Sequence, residues 1–427
     1  MHRSGPMADT MQAGRQEPFM QTIRAFLYLL ACAVNGAVPD ESVMAKADFE
    51  GLAAISGRHH MDASLYFAMQ AYADFGSGQT EAFRAHLPKY RDSYAANLKR
   101  SILLDAERQK ILAHLEESGI WYCPMKGAYI NGLYPHAGMR IVSDVDILFD
   151  AAAEQQVDAY MQERGYTPGH KEGTNNEYLK APLYNIEMHK ALISPENNAS
   201  VYAYYKDVKE RLTKDEGNAF GYHFSDEAFY VHSIVNSWKD YSSTGTGVRS
   251  LLDNYVFRKS RGQAAVFGAA GQALQETGLE AYEEKLRILS DKLFAQPADP
   301  QYLAWVLEGA ESGAKGGSAK GYLTDAERKF LAEFTDSGIY GNAANIVRHN
   351  LERSASGGGK KSKLKYVLRS IFPDKDTLLW VEPAAARHKY VWPVFYLVRA
   401  VKVARRMLFN KEYRSKKQRE YDILRKL

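Results

Sequence analysis

Val145, Ile147 and Phe149 alternate with Asp144, Asp146 and Leu148, and a hydrophobic period of two predicts a β-strand. The same alternation returns in Leu183–Lys190, with Asn185, Glu187 and His189 on one face and Ile186 and Met188 on the other. A short strand at about 120–125 runs into Gly127, and a helical stretch follows toward Leu133. Upstream the period changes: Leu104, Ile111, Leu112 and Leu115 mark a stripe at helical spacing, and that helix delivers the chain through Gly119 into the first strand. Residues 18–118 read as a helical region, 119–195 as a core of alternating strand and helix, and 196–345 as a second helical region. Residues 1–17 have little apolar periodicity and read as a flexible leader, and 346–427 form a separate basic region. The apolar run Ala25–Val34 is too short to span a bilayer, which takes about 20 residues. Ala31-Cys32-Ala33 mimics a signal-peptide cleavage site, but Asp9 and Glu17 interrupt the leader, so the run is read as the first core helix.

The polar positions of these strands carry the candidate chemistry. Residues i and i+2 of a strand share a face, so Asp144 and Asp146 project side by side, roughly 6–7 Å apart. Two adjacent like charges call for something positive between them, and a divalent cation with oxygen ligands suits the position. The bland alternative is a solvated strand end. In Met125-Lys126-Gly127-Ala128, strand, glycine and helix start form a geometry that can cradle phosphate through backbone amides, with Lys126 adding charge; an ordinary tight turn is the alternative. Glu187 can complete a three-carboxylate site as metal ligand or as base for an attacking hydroxyl. His189 can orient a phosphate or the nucleophile, or it is a hydrogen-bonded strand histidine.

Lys126-Gly127-Ala128, then Arg140 to Ser143-Asp144-Val145-Asp146, then Ile186-Glu187-Met188-His189 resemble the nucleotidyltransferase superfamily. More narrowly they resemble the bacterial uncharacterised nucleotidyltransferases, with their Lys-Gly, Ser-Asp-x-Asp and acidic-x-His pattern. His60, Tyr66, Ala95-Ala96-Asn97-Leu98, His232, Arg249 to Asp253 and Phe372-Pro373 extend the likeness to about residues 20–410. The resemblance implies an α/β fold of the α+β kind, a small mixed sheet flanked by helices. It implies Mg²⁺, with Mn²⁺ as the alternative, on Asp144, Asp146 and Glu187. It also implies a nucleoside triphosphate at the turn of Gly127 and Ala128, with Ser143 beside it. Lys126, Arg140, His189 and Arg249 are the remaining substrate-side candidates. Ala128 stands where a serine is common, so a hydroxyl is lost, and Asn236 stands where this family often has a second histidine.

Composition is that of an ordinary globular protein, 45% hydrophobic and 25% charged. Cys32 and Cys123, the two cysteines, exclude a disulfide framework and a thiolate zinc site and suit a reducing cytosol. Arg249 and Asp253 lie four apart, which predicts either an intrahelical ion pair or an Arg249 free to meet phosphate. Thr244-Gly245-Thr246-Gly247 resembles a phosphate loop only superficially, and Gly313–Gly321 reads as a connector. Charge changes abruptly near the end: residues 353–427 carry 20 Lys/Arg against 6 Asp/Glu, +14 in a chain of net +4. Within them Val394–Phe409 reads as a basic amphipathic helix. Such a helix lies on an anionic membrane, grips RNA phosphates, or docks its apolar face on its own protein. The expectation is therefore a cytoplasmic, or peripheral inner-membrane, enzyme moving a nucleoside monophosphate from a triphosphate to an acceptor hydroxyl. By resemblance the acceptor is a sugar or glycan precursor, with RNA or protein as the alternative, and a non-catalytic nucleotide-binding module as the opposing class.

Overall fold

The structure is a computed structural model that describes residues 6–169, 173–195, 198–243, 245–309 and 321–337, with four isolated positions beyond. Helices α1 (Pro6–Asn35), α2 (Glu41–Lys46), α3 (Phe49–His59), α4 (Asp62–Phe75) and α5 (Glu81–Glu117) come first. The central part holds β1 (Tyr122–Pro124), α6 (Gly127–Ile130), β2 (Val145–Phe149), α7 (Glu154–Glu163), β3 (Thr167–Pro168), β4 (Asn175–Lys180) and β5 (Tyr184–His189). After α8 (Ala199–Tyr205) and a hairpin of β6 (Thr213–Lys214) and β7 (Tyr222–His223), helices return. These are α9 (Asp226–Tyr241), α10 (Val248–Arg261), α11 (Gln263–Thr277), α12 (Glu280–Phe294), α13 (Pro300–Glu308) and α14 (Asp325–Ser337).

The five-stranded sheet has the order β1-β2-β5-β4-β3. β2 and β5 run parallel in its centre, and the β1–β2, β4–β5 and β3–β4 pairs are antiparallel. The α+β reading with a mixed sheet is therefore what the chain adopts. The first helix begins at Pro6, inside the segment expected as leader. The basic region 353–427 and its amphipathic helix lie outside the described residues, apart from isolated positions, as does most of the 313–321 connector.

Alternation along β2 decides which body packs on which face. Val145, Ile147 and Phe149 join Leu104, Ile111, Leu112 and Leu115 of α5 and Val157 and Met161 of α7 in one core. Leu148 points the other way, into the larger core shared with α1, α9 and α10. Both faces are covered, so every residue of β2 is buried. Asp146 shares the Leu148 face and is set between the sheet and the second helical region. The apolar run 25–34 is buried on all sides at the centre of the larger core, as a helix apolar all round must be. Among the described residues no helix is long and apolar enough to cross a membrane.

The segment between α6 and β2 has little regular structure, and neighbouring side chains fix it through its backbone. Asn97 of α5, 5% exposed, donates to the carbonyls of Gly138 (2.7 Å) and Arg140 (2.9 Å) and accepts from the Val142 amide (3.1 Å). Arg100 donates to the carbonyls of Ser143 and Leu183, and Ser64 to that of Met139. Gly138 adopts φ +77° against Leu98, a conformation and a closeness that leave no room for a Cβ.

Candidate active site

Parallel pairing of β2 with β5 sets Asp146 directly opposite Glu187. His189, one step further along the same face of β5, turns onto Asp146, with its Nε2 2.8 Å from Oδ1 and 3.4 Å from Glu187 Oε2. Ligand atoms of Asp146, Glu187 and His189 all lie within 4.8 Å of one another. Asn175 on β4 donates to Glu187 Oε2 (3.1 Å) and steadies it. Asp144 precedes the strand and is outside that tight group; Ser143 Oγ donates to its carboxylate at 3.0 Å.

The positive charge expected between the carboxylates comes in part from the chain itself. Lys126 Nζ sits 2.7 Å from Asp146 Oδ1. Lys126 adopts φ +42°, strained for a residue with a Cβ, at the bend between β1 and α6. The Met125 amide donates to the Asp146 carbonyl (3.0 Å), so the bend is tied to β2 just before it reverses.

Electrostatics follow from burial and these contacts. Burial alone would push the Asp146 carboxyl up, but the Lys126 ammonium and the His189 hydrogen bond overcome it and hold Asp146 well below the usual carboxylate range. Asp144 shifts the other way, raised by burial and then by the charge of Asp146. Lys126 is raised: burial opposes its charge, and the carboxylates of Asp146, Asp144 and Glu187 more than compensate. A second cation on this cluster would relieve the repulsion that raises Asp144. Two carboxylates and an imidazole at these distances, with a third carboxylate adjacent, are a donor set that fits a divalent metal ion.

Asp146 brings this cluster to the edge of a cleft of about 270 Å³ between the sheet and helices α9 and α10; Glu187 and His189 stand behind Asp146 and are not part of the cleft lining. Lys126, Gly127, Arg140, Ser143, Asp144 and Asp146 line its sheet side. Three residues differ from the sequence reading in what they can offer there. The Ala128 amide is spent on the Met125 carbonyl (3.0 Å), because α6 is a single turn closed by its own bonds, so at this bend the amides of Lys126 and Gly127 are the ones left without an acceptor among the described residues. Arg140 is committed to Asp253 through paired bonds of 2.9 and 3.0 Å, with a third to Asn131. Tyr134 donates to the same carboxylate (2.6 Å). Asp253 is thereby taken up by Arg140, and of the two readings of Arg249 the intrahelical pair does not form among the described residues; Arg249 lines the cleft.

The opposite wall was not assigned from the sequence. Lys239 and Asp240 at the end of α9, and Thr246, Gly247 and Ser250 at the start of α10, face the cleft with His232. The signal was present in Gly245-Thr246-Gly247 ahead of a helix with Arg249 in its first turn, but nothing local says what that turn faces.

A mixed sheet carrying paired acids on its two central parallel strands, beside a lysine–glycine bend and a polar cleft, defines the nucleotidyltransferase class. The chain belongs to the uncharacterised nucleotidyltransferase family, whose model matches residues 45–295, well over half of its length. Neither the curated proteins nor the solved structures provide a match.

Proposed function

We propose that this protein transfers a nucleoside monophosphate from a nucleoside triphosphate to an acceptor hydroxyl, in a Mg²⁺-dependent reaction. The observation that carries the reading is the pairing of Asp146 with Glu187 across β2 and β5, with His189 closing the group. Asp144, Asp146 and Glu187 are the oxygen donors that would hold Mg²⁺, and the His189 imidazole widens the set to Mn²⁺. Such an ion supplies charge neutralisation for the triphosphate and for the leaving pyrophosphate.

The rest of the chemistry belongs to side chains. The acceptor oxygen forms a bond to the α-phosphorus as the bond from that phosphorus to the β-bridging oxygen breaks, and pyrophosphate leaves with that electron pair. Glu187, less buried than Asp146, takes the hydroxyl proton. His189, 6% exposed and bonded to Asp146, keeps that carboxylate turned toward the cleft. Lys126 and the Gly127 amide meet phosphate oxygens. Catalysis comes mainly from alignment and charge stabilisation.

A compact acceptor, a sugar or glycan precursor, is the reading that the family resemblance supports; RNA or protein is the alternative that the labelling test separates. The basic segment 353–427 suits an anionic surface, and flotation with anionic vesicles against RNA retardation across a salt series separates the two surfaces. The test of the activity is incubation of the full chain with triphosphates labelled at the α-phosphate, Mg²⁺ and cell extract, followed by identification of the labelled product. Asp146→Asn abolishes the label transfer while leaving thermal unfolding cooperative. Unchanged transfer in Asp146→Asn sinks the proposal, and label in RNA or protein replaces the small-molecule acceptor.

A further inference from the structure

We infer that the wall of the cleft facing the carboxylates is a second, separate anion subsite, built at the end of α9 and the start of α10, and that it takes a phosphate group. Helix α10 is 14 residues long, and Gly247 at its N-cap brings no side chain to its first turn. The Val248 amide is spent on His59 Nδ1 and the Ser250 amide on the Gly247 carbonyl (3.1 Å), so the first turn has the Arg249 amide and the partial positive charge of a helix start left for whatever lies beyond it. Here the cleft lies beyond it, and Thr246, Gly247, Arg249 and Ser250 line that side.

Two further observations point to a ligand. Neither nitrogen of His232 has a hydrogen-bond partner among the described residues, although the residue is 3% exposed and lines the same cleft. Its ring lies flat on Phe224, centroids 5.1 Å apart and planes within 6°, so its orientation is set by packing. A buried imidazole with both nitrogens unmet is costly unless a ligand atom meets it. Arg249 is half-buried and, among the described residues, has no hydrogen bond or ion pair, because Arg140 and Tyr134 occupy Asp253. Burial and the repulsion of Arg140 press on its charge more than the nearby carboxylates of Asp253 and Asp144 support it, a strain that an anion would relieve. Lys239 likewise has no ion pair among the described residues. Of the two acids of α9 and α10 that line the cleft, Asp253 is paired with Arg140, and burial pushes the Asp240 carboxyl up. Arg249 and Lys239 therefore leave the wall net positive, whereas the sheet side carries the excess of carboxylates.

A phosphate here comes from one of two sources, the terminal phosphate of the triphosphate or a phosphate on the acceptor; the subsite deepens the nucleotidyl-transfer reading and rests on it for these names. The test titrates the full chain by calorimetry with inorganic phosphate, ATP and AMP, comparing wild type with Arg249→Gln and Gly247→Asp. Gly247 has extended backbone angles (φ −91°, ψ 171°) that any residue adopts, so an aspartate there can cap α10 while placing a carboxylate where the anion would sit; because the position is buried, its thermal unfolding is measured alongside, and Arg249→Gln decides the test if Gly247→Asp does not fold. Both variants weaken inorganic phosphate binding by about tenfold or more, the scale of a lost charge-assisted contact. If ATP binding falls with it and AMP binding does not, the terminal phosphate is the source; if ATP binding holds, the acceptor is. Wild type that binds no phosphate, or unchanged phosphate and ATP affinities in both variants, overturns the subsite. Asp146→Asn separates the two proposals: it retains phosphate binding at α10 while losing turnover, and retained turnover would sink the catalytic reading without touching the subsite.

Discussion

Replacing Asn97 by alanine removes one side chain from α5 and strips three hydrogen bonds from the segment that enters β2. The Nδ2 bonds to the Gly138 and Arg140 carbonyls and the Oδ1 bond from the Val142 amide are 2.7, 2.9 and 3.1 Å long. Each is worth about 0.5–1.5 kcal/mol net, and an amide left buried without an acceptor costs about 1–3 kcal/mol. Water can reach the carbonyls in part, so the expected loss is about 2–4 kcal/mol in urea unfolding. Asn97→Asp is the informative companion. It keeps an acceptor for the Val142 amide but sets a carboxylate against two carbonyl oxygens, so it is at least as destabilising as alanine although nearly isosteric. Because the segment leads directly into Ser143 and Asp144, both variants also lower Mg²⁺-dependent label transfer measured at a temperature where they remain folded. If Asn97→Ala unfolds within about 0.5 kcal/mol of wild type, the hydrogen bonds do not hold this segment and the reasoning fails.

Three further outcomes can be checked by the same unfolding measurements. Glu107, 4% exposed, accepts from Arg164 (2.6 Å), Tyr166 (3.2 Å) and Lys110 (3.2 Å), and its carboxyl is held below the usual range because these bonds outweigh burial. Glu107→Ala costs about 2–3 kcal/mol, less than a wholly buried pair because Arg164 and Lys110 reach water; a loss under about 0.5 kcal/mol contradicts it. Gly138→Ala forces a Cβ into positive φ and to 2.9 Å from the Leu98 backbone, and costs about 1–3 kcal/mol; a neutral result would mean that the segment moves freely. His59 is fully buried, accepts the Val248 amide at Nδ1 and bonds the Thr335 carbonyl through Nε2, and burial followed by the charge of Arg58 lowers its pKa to about 4. Its native pKa is below the unfolded value near 6.5, so the unfolded chain binds the extra proton. The stabilisation is complete above about pH 6.5 and declines by about 3 kcal/mol as pH falls to about 4. A His59→Gln variant loses that part of the pH dependence, and an unchanged pH profile would contradict the assignment.

The strands around the acids were legible because alternation is local: the side-chain period of Val145–Phe149 and Tyr184–His189 is a property of each segment alone. The α5 stripe and the buried helix at 25–34 were legible for the same reason. Asp146, Glu187 and His189 could be placed on faces, but their convergence needed a β2–β5 register between strands about forty residues apart. A shift of one residue in that register would have turned Glu187 away. Arg140 was read as a secondary phosphate candidate, and the sequence could not show that it is paired, because its partner Asp253 arrives from α10.

What the amino-acid order determined by itself is therefore the kind of each element, the face on which each polar residue stands, and the family signature in Lys126-Gly127, Asp144-x-Asp146 and Glu187-x-His189. Only tertiary structure decided which charges meet. It set Lys126 on Asp146, paired Asp253 with Arg140, spent the Ala128 amide, and turned the start of α10 and His232, unpartnered among the described residues, toward the acids. The physical reason is range: periodicity acts over a few residues of one chain segment, whereas Coulombic pairing and hydrogen bonding depend on distances that the packing of separate segments alone sets.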